Sequence, residues 1–523
     1  MVPLLTRTAL VAVFVLEIGN AAAADFTTAS PGQALFAATN LPRFHIEIAS
    51  DELARLRFGG LDYAHATVRV DGLTLPDVGI RLKGRGSFRP VTDRPSLAVK
   101  FDAFQPRQNL FGLTKVMLNN ASQDTTLLSE YVASGLFRDA GVPAARVTHA
   151  RVVLNGRELG FYVLAEAMNK AFLREHFDNP HGSLYEGYAR DIDQVLDQDS
   201  GPPGDQLDRQ TLAAAAQSPA SERWYQLRQT LDVERFVSFL CVTILSAQHD
   251  SYPLNRNNYR LYRDPSADRF VMIPHGIDGS FSQISMPIEP PRRDLLTRAV
   301  MELPEGQELY RRRLGEIFTN VFNLERITNR VRQAADRLSA AAADETERTA
   351  RQAAATSMLR RVARRHQNVS NQLEGRISTR LTFGSDGRAP LSGWEPELGA
   401  ARMQAERERL DGIETLCLRV DGSPGIASGS WRTFVSLSPG TYRFLGRVRV
   451  SGVTEAAAAA SIGAALRISG NSGAARFAGN DAWQLLEHRF TVREPGDVQL
   501  VCELRAAQGQ AWFDLPSLQL VRE

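Results

Sequence analysis

Two acidic segments of this chain have the residue types that phosphoryl transfer uses. The first is Gln248-His249-Asp250-Ser251-Tyr252-Pro253-Leu254-Asn255, and the second is Met272-Ile273-Pro274-His275-Gly276-Ile277-Asp278-Gly279-Ser280-Phe281. Moving a phosphoryl group to a hydroxyl needs one carboxylate to accept the nucleophile's proton. It needs another to hold a divalent cation, and an amide oxygen often completes the cation's shell. Asp250 is the candidate base and Asp278 the candidate cation ligand. Asn255 follows Asp250 at a spacing suited to the amide. His249 reads as structural, because the adjacent carboxylate better suits proton transfer.

The elements around these segments read as mixed α and β. Phe44–Ile48 alternates apolar and polar residues, as a half-buried strand does. Strands are predicted at 66–70, 78–82 and 97–101, with the loop Lys83-Gly84-Arg85-Gly86-Ser87 between the last two. Gly84 and Gly86 permit a close backbone approach to phosphate. Residues 127–140 have helical periodicity. A hairpin is predicted around Asn155-Gly156. Residues 190–220 read as an exposed connection, rich in Asp, Gln, Pro, Gly and Ala. Asp232 caps a helix that runs toward Asp250. Tyr259–Tyr262 and Phe270–Ile273 form a strand pair between the two acidic segments. From about 290 to 375 the chain is mainly helical, and the arginines at 360, 361, 364 and 365 read as a solvated helix face.

Composition shifts near Gly384–Gly393. Beyond it, short alternating strands with turns at Ser438-Pro439-Gly440 and Glu494-Pro495-Gly496 predict an antiparallel β-sandwich. Trp431, Tyr442, Phe444, Trp483 and Trp512 are candidates for sugar stacking, with core packing favoured for each. Asp514 suits either a sugar hydroxyl, calcium or a strand-end cap.

The 523 residues suffice for two or three domains, and 43% hydrophobic content can build a substantial core. A net charge of +2 gives no argument for nucleic-acid binding. At the N-terminus, Arg7 precedes the apolar run Ala9–Leu16, and Ala21–Ala24 precede Asp25. This pattern is that of a secretory signal peptide. No other segment is apolar enough to span a membrane, so no integral span is expected after signal cleavage. Cys241 reads as a buried thiol. An oxidising compartment would permit Cys417 and Cys502 to pair.

Several of these segments resemble the CotH family of secreted kinases, related to spore-coat protein H. They are Arg81-Leu82-Lys83-Gly84-Arg85-Gly86-Ser87, the strand Ser96–Phe101, the hairpin Asn155–Glu166, Asn257-Asn258-Tyr259-Arg260-Leu261-Tyr262 and Ile273–Asp278. The matching stretches run from about 42 to 375. The resemblance implies an α+β atypical kinase-like fold, and ATP with Mg²⁺ or Mn²⁺ as cofactors. It also implies transfer to Ser or Thr hydroxyls of a secreted or envelope protein. By that analogy Asp250 is the base and Asp278 the metal ligand, with Asn258 or Asn255 beside it. Lys100, in Leu97-Ala98-Val99-Lys100, would contact ATP phosphates, with Glu130 as its helical partner. Lys83 and Arg85 are alternative phosphate contacts, and Glu166 would lie near the adenine. The chain departs from the family at His275-Gly276-Ile277-Asp278, where a W-D-x-D segment is expected, so one carboxylate is missing. That departure keeps open an inactive kinase-like surface protein that binds glycan or assembles envelope or coat material.

The expected organisation is a signal peptide at 1–24, a lead-in at 25–41, a kinase-like domain at 42–380 and a linker at 381–392. A jelly-roll-like sandwich at 393–523 resembles galactose-binding and carbohydrate-binding modules, which implies a glycan partner. The expected location is secreted, periplasmic or in the cell envelope.

Overall fold

The computed structural model describes residues 30–57, 62–84, 86–373, 379–400, 402–422, 425–453, 462–469, 474–479, 481–492 and 496–523. The expected signal peptide and Arg85 lie outside the described residues.

Seven strands close into a barrel: β1 (Arg43–Ile48), β2 (Ala64–Val70), β3 (Leu73–Lys83), β4 (Ser96–Lys100), β5 (Lys115–Asn119), β6 (Val147–Leu154) and β7 (Arg157–Glu166). Their order around the barrel is β1-β2-β3-β4-β5-β7-β6. Strict alternation fills it: Ala64, Ala66, Val68 and Val70 of β2 point inward against Phe44, Ile80 and Val99. The Asn155-Gly156 turn joins β6 to β7, both residues at positive φ (48° and 77°), as a tight hairpin of this composition requires. Barrel closure comes from a parallel pairing of β1 with β6, to which no local pattern points.

A second sheet has the order β11-β10-β8-β9, from β8 (Leu184–Gly187), β9 (Asp197–Ser200), β10 (Tyr259–Asp264) and β11 (Arg269–Pro274). It packs on the apolar helix Val233–Leu245 in the same core as the helices Pro304–Asn320, Leu324–Ala340 and Glu345–Leu373. The 190–220 stretch is not a plain connection. It carries β9 and the whole helix Leu207–Gln217, whose Leu212, Ala213 and Ala216 are buried in this core. Most of its polar residues face outward, while Asp191 and Arg209 are buried.

Residues beyond 378 form two facing antiparallel-rich sheets, one of five strands and one of seven, around a separate core. Within the first, Ala427–Leu437 pairs along its whole length with Gly496–Ala506. Arg388–Pro390, within the stretch expected to be linker, pairs into these sheets, as does Thr379–Arg380 just before it. Trp431, Tyr442, Phe444 and Trp512 are buried, while Trp483 is half-exposed beneath the Arg447 guanidinium. Asp514 caps the short turn that follows it and pairs with Arg447. Cys241, Cys417 and Cys502 are all free and buried. Trp431, the cross-strand neighbour of Cys502, donates its indole N–H to the Cys417 carbonyl (3.0 Å). Among the described residues, two hydrogen bonds tie the sandwich to the first domain: Ser285 Oγ to Glu397 Oε2 (3.2 Å) and Arg364 Nη1 to the Pro396 carbonyl (3.1 Å). No helix among the described residues is long and apolar enough to cross a membrane.

Candidate active site

The helix Val233–Leu245 is buried on every side from Phe236 onward and is capped by Asp232, whose Oδ1 accepts from the Arg235 amide (3.0 Å). Its C-terminus delivers Gln248, His249 and Asp250 to the edge of the second sheet. Three asparagines then fix the Asp250 carboxylate. Asn255 Nδ2 donates to Oδ1 (3.2 Å), and Asn257 and Asn258 Nδ2 both donate to Oδ2 (2.9 Å each). Ala247, Arg256 and Asn258 all adopt positive φ (50°, 55° and 54°). Each costs on the order of 1 kcal/mol for a residue with a side chain, and such strain gathers at functional loops.

The second segment leaves β11 through His275 and Gly276 into the short 3-10 turn Ile277–Gly279, which carries Asp278. Gln248 Nε2 donates to the Gly276 carbonyl (3.0 Å). His249 Nδ1 lies 3.3 Å from the Gly279 carbonyl and 2.8 Å from Ser282 Oγ, which itself donates to Gly279. This network puts the proton on Nδ1 and gives His249 a structural role. At Gly276 (φ 56°), an added Cβ would stand 2.4 Å from Asn258 Oδ1. The space a second carboxylate would enter is therefore filled by the Asn258 amide, which its bonds to Asp250 hold in place.

The third component comes from the barrel. Lys83, at the end of β3, donates from Nζ to Asn119 Oδ1 at the end of β5. Asn119 Nδ2 donates in turn to both oxygens of Glu130 (2.9 and 3.2 Å). Glu130 lies in the first turn of the helix Ser129–Asp139, which packs on the turn bearing Asp278. Asp124 anchors that helix, accepting from the Ser129 amide (2.7 Å) and the Thr126 hydroxyl (2.5 Å). Burial, then repulsion from Asp278, pushes the Glu130 carboxyl up to about 7, against the pull of Lys83. Burial lowers the Lys83 ammonium, against the pull of Glu130 and Asp278. Burial also raises Asp278, and Lys83 opposes it. Three charged groups thus share one poorly solvated place.

The cleft between barrel and second sheet is lined by Lys83, Met117, Glu130, Glu166, Arg260 and His275, among others, and encloses about 40 Å³ of free space. Sites for drug-sized ligands run to roughly 300 Å³ and more, so a nucleotide requires this cleft to widen. Glu166 is committed to Arg146, accepting from its guanidinium (2.5 and 3.0 Å) and its backbone amide (3.2 Å). Arg260 reaches Glu186 (2.6 Å) and Asp199. Burial, then the charges of Arg260 and Lys83, holds His275 well below the usual imidazole value, so it is neutral at pH 7.

The structure brings together Lys83, Glu130, Asp278, Asp250, Asn255 and Asn258, but it does not bring Lys100 to them. Lys100 pairs with Gly79, while Lys83 pairs with Ser96. The two lysines therefore lie about 13 Å apart along the ladder. Lys100 Nζ instead sits over the Tyr63 ring (5.8 Å). The local Leu-Ala-Val-Lys pattern marks a strand, but register decides which lysine reaches the cleft. Lys83, not Lys100, is the residue that Glu130 faces.

Arg365 corrects another expectation. It is fully buried, and its guanidinium donates to the carbonyls of Ile244 (2.6 Å), Leu245 (3.1 Å), Ile284 (3.1 Å) and Met286 (2.5 Å). It binds the end of the helix before Asp250 to the segment after Asp278. Arg360 and Arg364 are exposed and Arg361 is half-buried. Asn119, Asn257 and Gln248 also escaped the sequence reading. The Asn-Asn pair at the end of β5 was the one visible signal for the first.

A magnesium-type cation fits these residues in donor chemistry. Asp278 and Asn258 Oδ1 are hard oxygens, and the buried Gln248 Oε1 beside Gly279 has no hydrogen-bond donor. No group of three His, Cys, Asp or Glu gathers among the described residues. Magnesium commonly takes one or two carboxylates and completes its shell with substrate phosphates and water.

The family model described as CotH kinase protein matches residues 80–383. The chain belongs to the CotH kinase protein family. The inner spore coat protein H of Bacillus subtilis (strain 168) is 19% identical over 312 residues, covering 55% of this chain and 84% of that protein. Among solved structures, the Helicobacter pylori proinflammatory kinase CtkA aligns over 60% of this chain and 94% of its own, at 9% identity and a TM-score of 0.26. A carbohydrate-binding module from Cellvibrio mixtus lichenase 5A, in complex with cellotriose, aligns over 24% of this chain and 88% of its own. Its identity is 14% and its TM-score 0.16. Within this CotH-family chain, Lys83, Asp250 and Asp278 all fall inside the matched range, as do the barrel strands from the end of β3 onward.

Proposed function

We propose that this CotH-family protein transfers the γ-phosphoryl group of ATP to a Ser or Thr hydroxyl of a protein acceptor. The observation that carries the reading is the single cluster formed by Lys83, Asn119, Glu130 and Asp278, beside the fixed carboxylate of Asp250. Lys83 supplies positive charge to the nucleotide phosphates, and Glu130, through Asn119, aims it. Asp250 accepts the acceptor's hydroxyl proton with its orientation set by three amides. Asp278, with the Asn258 oxygen, would hold Mg²⁺ or Mn²⁺. The cation would neutralise charge on the transferred group. Arg365 keeps the two acidic segments at a fixed separation. The barrel and the second sheet must part for nucleotide to enter. The sandwich would locate the enzyme on a glycan, and the spore-coat relative favours a coat, envelope or secreted setting.

A second reading, a kinase-like binding protein without catalysis, is favoured by the narrow cleft and by Gly276. One experiment separates the two. The purified protein is incubated with γ-labelled ATP and Mn²⁺ or Mg²⁺, beside Asp250→Ala and Asp278→Ala. Label transfer lost in both variants supports the enzyme. No transfer, with no metal-dependent nucleotide binding, supports the binding protein.

A further inference from the structure

A separate cavity of about 550 Å³ opens beside the catalytic cluster, between the loop after β3, the loop after β5, the start of β7 and the helix Glu345–Leu373. Asn119 and Asn120 mark the division. Successive side chains of an extended chain point to opposite faces. Asn119 lines the catalytic cleft, and Asn120 lines this cavity.

Its charge is unbalanced once the partners are assigned. The carboxylates in its wall are already engaged. Glu347 Oε2 accepts from Arg151 (2.7 Å) and from the Ala343 amide (2.7 Å). Asp124 caps the helix of Glu130 and lies 3.6 Å from Arg361. Asp93 is 3.9 Å from Arg89. Arg94 and Arg351 remain. Neither has a carboxylate within 4.0 Å among the described residues. Arg94 donates to the Phe161 carbonyl and stacks over Tyr162 (5.0 Å), and Arg351 makes a long contact (3.5 Å) to the Thr125 carbonyl. The Nε of each is buried without an acceptor. Burial lowers the Arg351 guanidinium and Arg94 adds to this, against the pull of Glu347 and Asp124. Two unpaired arginines in one partly buried cavity call for an anion, and planar guanidiniums match the oxygens of a phosphate. The volume exceeds what free phosphate needs and admits a phosphorylated side chain.

We infer that this cavity binds a phosphomonoester dianion through Arg94 and Arg351. Two sources share that chemistry: a phosphorylated residue of an acceptor peptide, and a phosphorylated residue of this chain. Occupancy would be felt at the cleft through Asn120 and the Asp124 cap of the Glu130 helix. The inference does not require the protein to be a kinase.

The test uses the full chain without nucleotide. Inorganic phosphate is titrated at constant ionic strength against chloride, with thermal melting and isothermal calorimetry as readouts. Saturable binding, weakened at least tenfold in both Arg94→Gln and Arg351→Gln, is expected. Lys83→Met is expected to leave it intact, which separates this cavity from the nucleotide cleft. Arg351→Gln disturbs little packing and guards against an unfolded Arg94 variant, and circular dichroism checks both. A phosphoserine peptide that competes with phosphate, where its unphosphorylated form does not, assigns the acceptor. Phosphate binding that appears only after phosphatase treatment, with a matching loss of mass, assigns the chain itself. No phosphate binding before or after phosphatase treatment, or binding unchanged in Arg351→Gln, would overturn the inference.

Discussion

Lys83 and Glu130 are joined through the side-chain amide of Asn119, whose oxygen accepts from the ammonium and whose nitrogen donates to the carboxylate. Asn119→Leu keeps the approximate volume and removes both bonds. It should weaken nucleotide binding about tenfold, near 1.4 kcal/mol, the scale for losing hydrogen bonds to charged groups. Nucleotide titration measures this. Wild-type affinity in the variant would mean that the amide does not aim Lys83.

Lys83 and Lys100 should separate cleanly. Lys83→Met is expected to abolish metal-dependent nucleotide binding and label transfer. Lys100→Met, whose ammonium sits over Tyr63 far along the strand, should change both by less than about twofold. The reverse pattern would restore Lys100 as the phosphate contact.

Glu130 makes a pH prediction. Its folded value, about 7, lies above the ordinary 4.5. Between these values the folded chain holds a proton that the unfolded chain has lost. Its contribution is therefore fully present below about 4.5 and lost as pH rises toward 7. Asp294, fully buried and also raised to about 7 by burial, acts in the same direction. Melting or urea unfolding from pH 5 to 8 should show stability falling with pH. Glu130→Gln should flatten that slope by up to about 1.4 kcal/mol per pH unit. An unchanged slope would show that Glu130 ionises normally.

Restoring an acid at position 276 should not restore a second cation ligand. Gly276→Asp would drive its Cβ into Asn258 Oδ1, which Asp250 holds in place. A loss of about 1–3 kcal/mol in urea unfolding is expected, from overpacking, together with reduced label transfer. A gain in metal affinity with unchanged stability would refute the steric account.

Arg365→Met should cost about 2–4 kcal/mol, because four backbone carbonyls lose their donor in a buried setting. Urea unfolding measures it. A variant as stable as wild type would mean those carbonyls find other partners.

The sequence carried the ends of the candidate site better than its middle. Asp250 and Asp278 stand in short segments whose chemistry is local, and the Asn155-Gly156 turn is fixed by backbone preference. Lys83 was only an alternative to Lys100, because ladder register depends on pairing with a distant strand. Arg365 looked solvated because its neighbours Arg360 and Arg364 are. One helical position in the stretch turns inward, and only the packed partners reveal it. Barrel closure through β1 and β6 joins segments a hundred residues apart, where no periodicity speaks. The unpaired Asp-to-Gly departure at Gly276 was legible, but not that Asn258 had taken the space.

The Ser285–Glu397 contact gives the sandwich a hold on the segment that begins at Asp278. That segment is anchored at one end in the cleft by Gln248 and His249, and near the other by Arg365 and the sandwich. A load on the sandwich is therefore transmitted to Asp278 rather than dissipated in a slack tether. The isolated first domain would have a looser Asp278 than the whole chain. It would be the same site with one of its bearings removed.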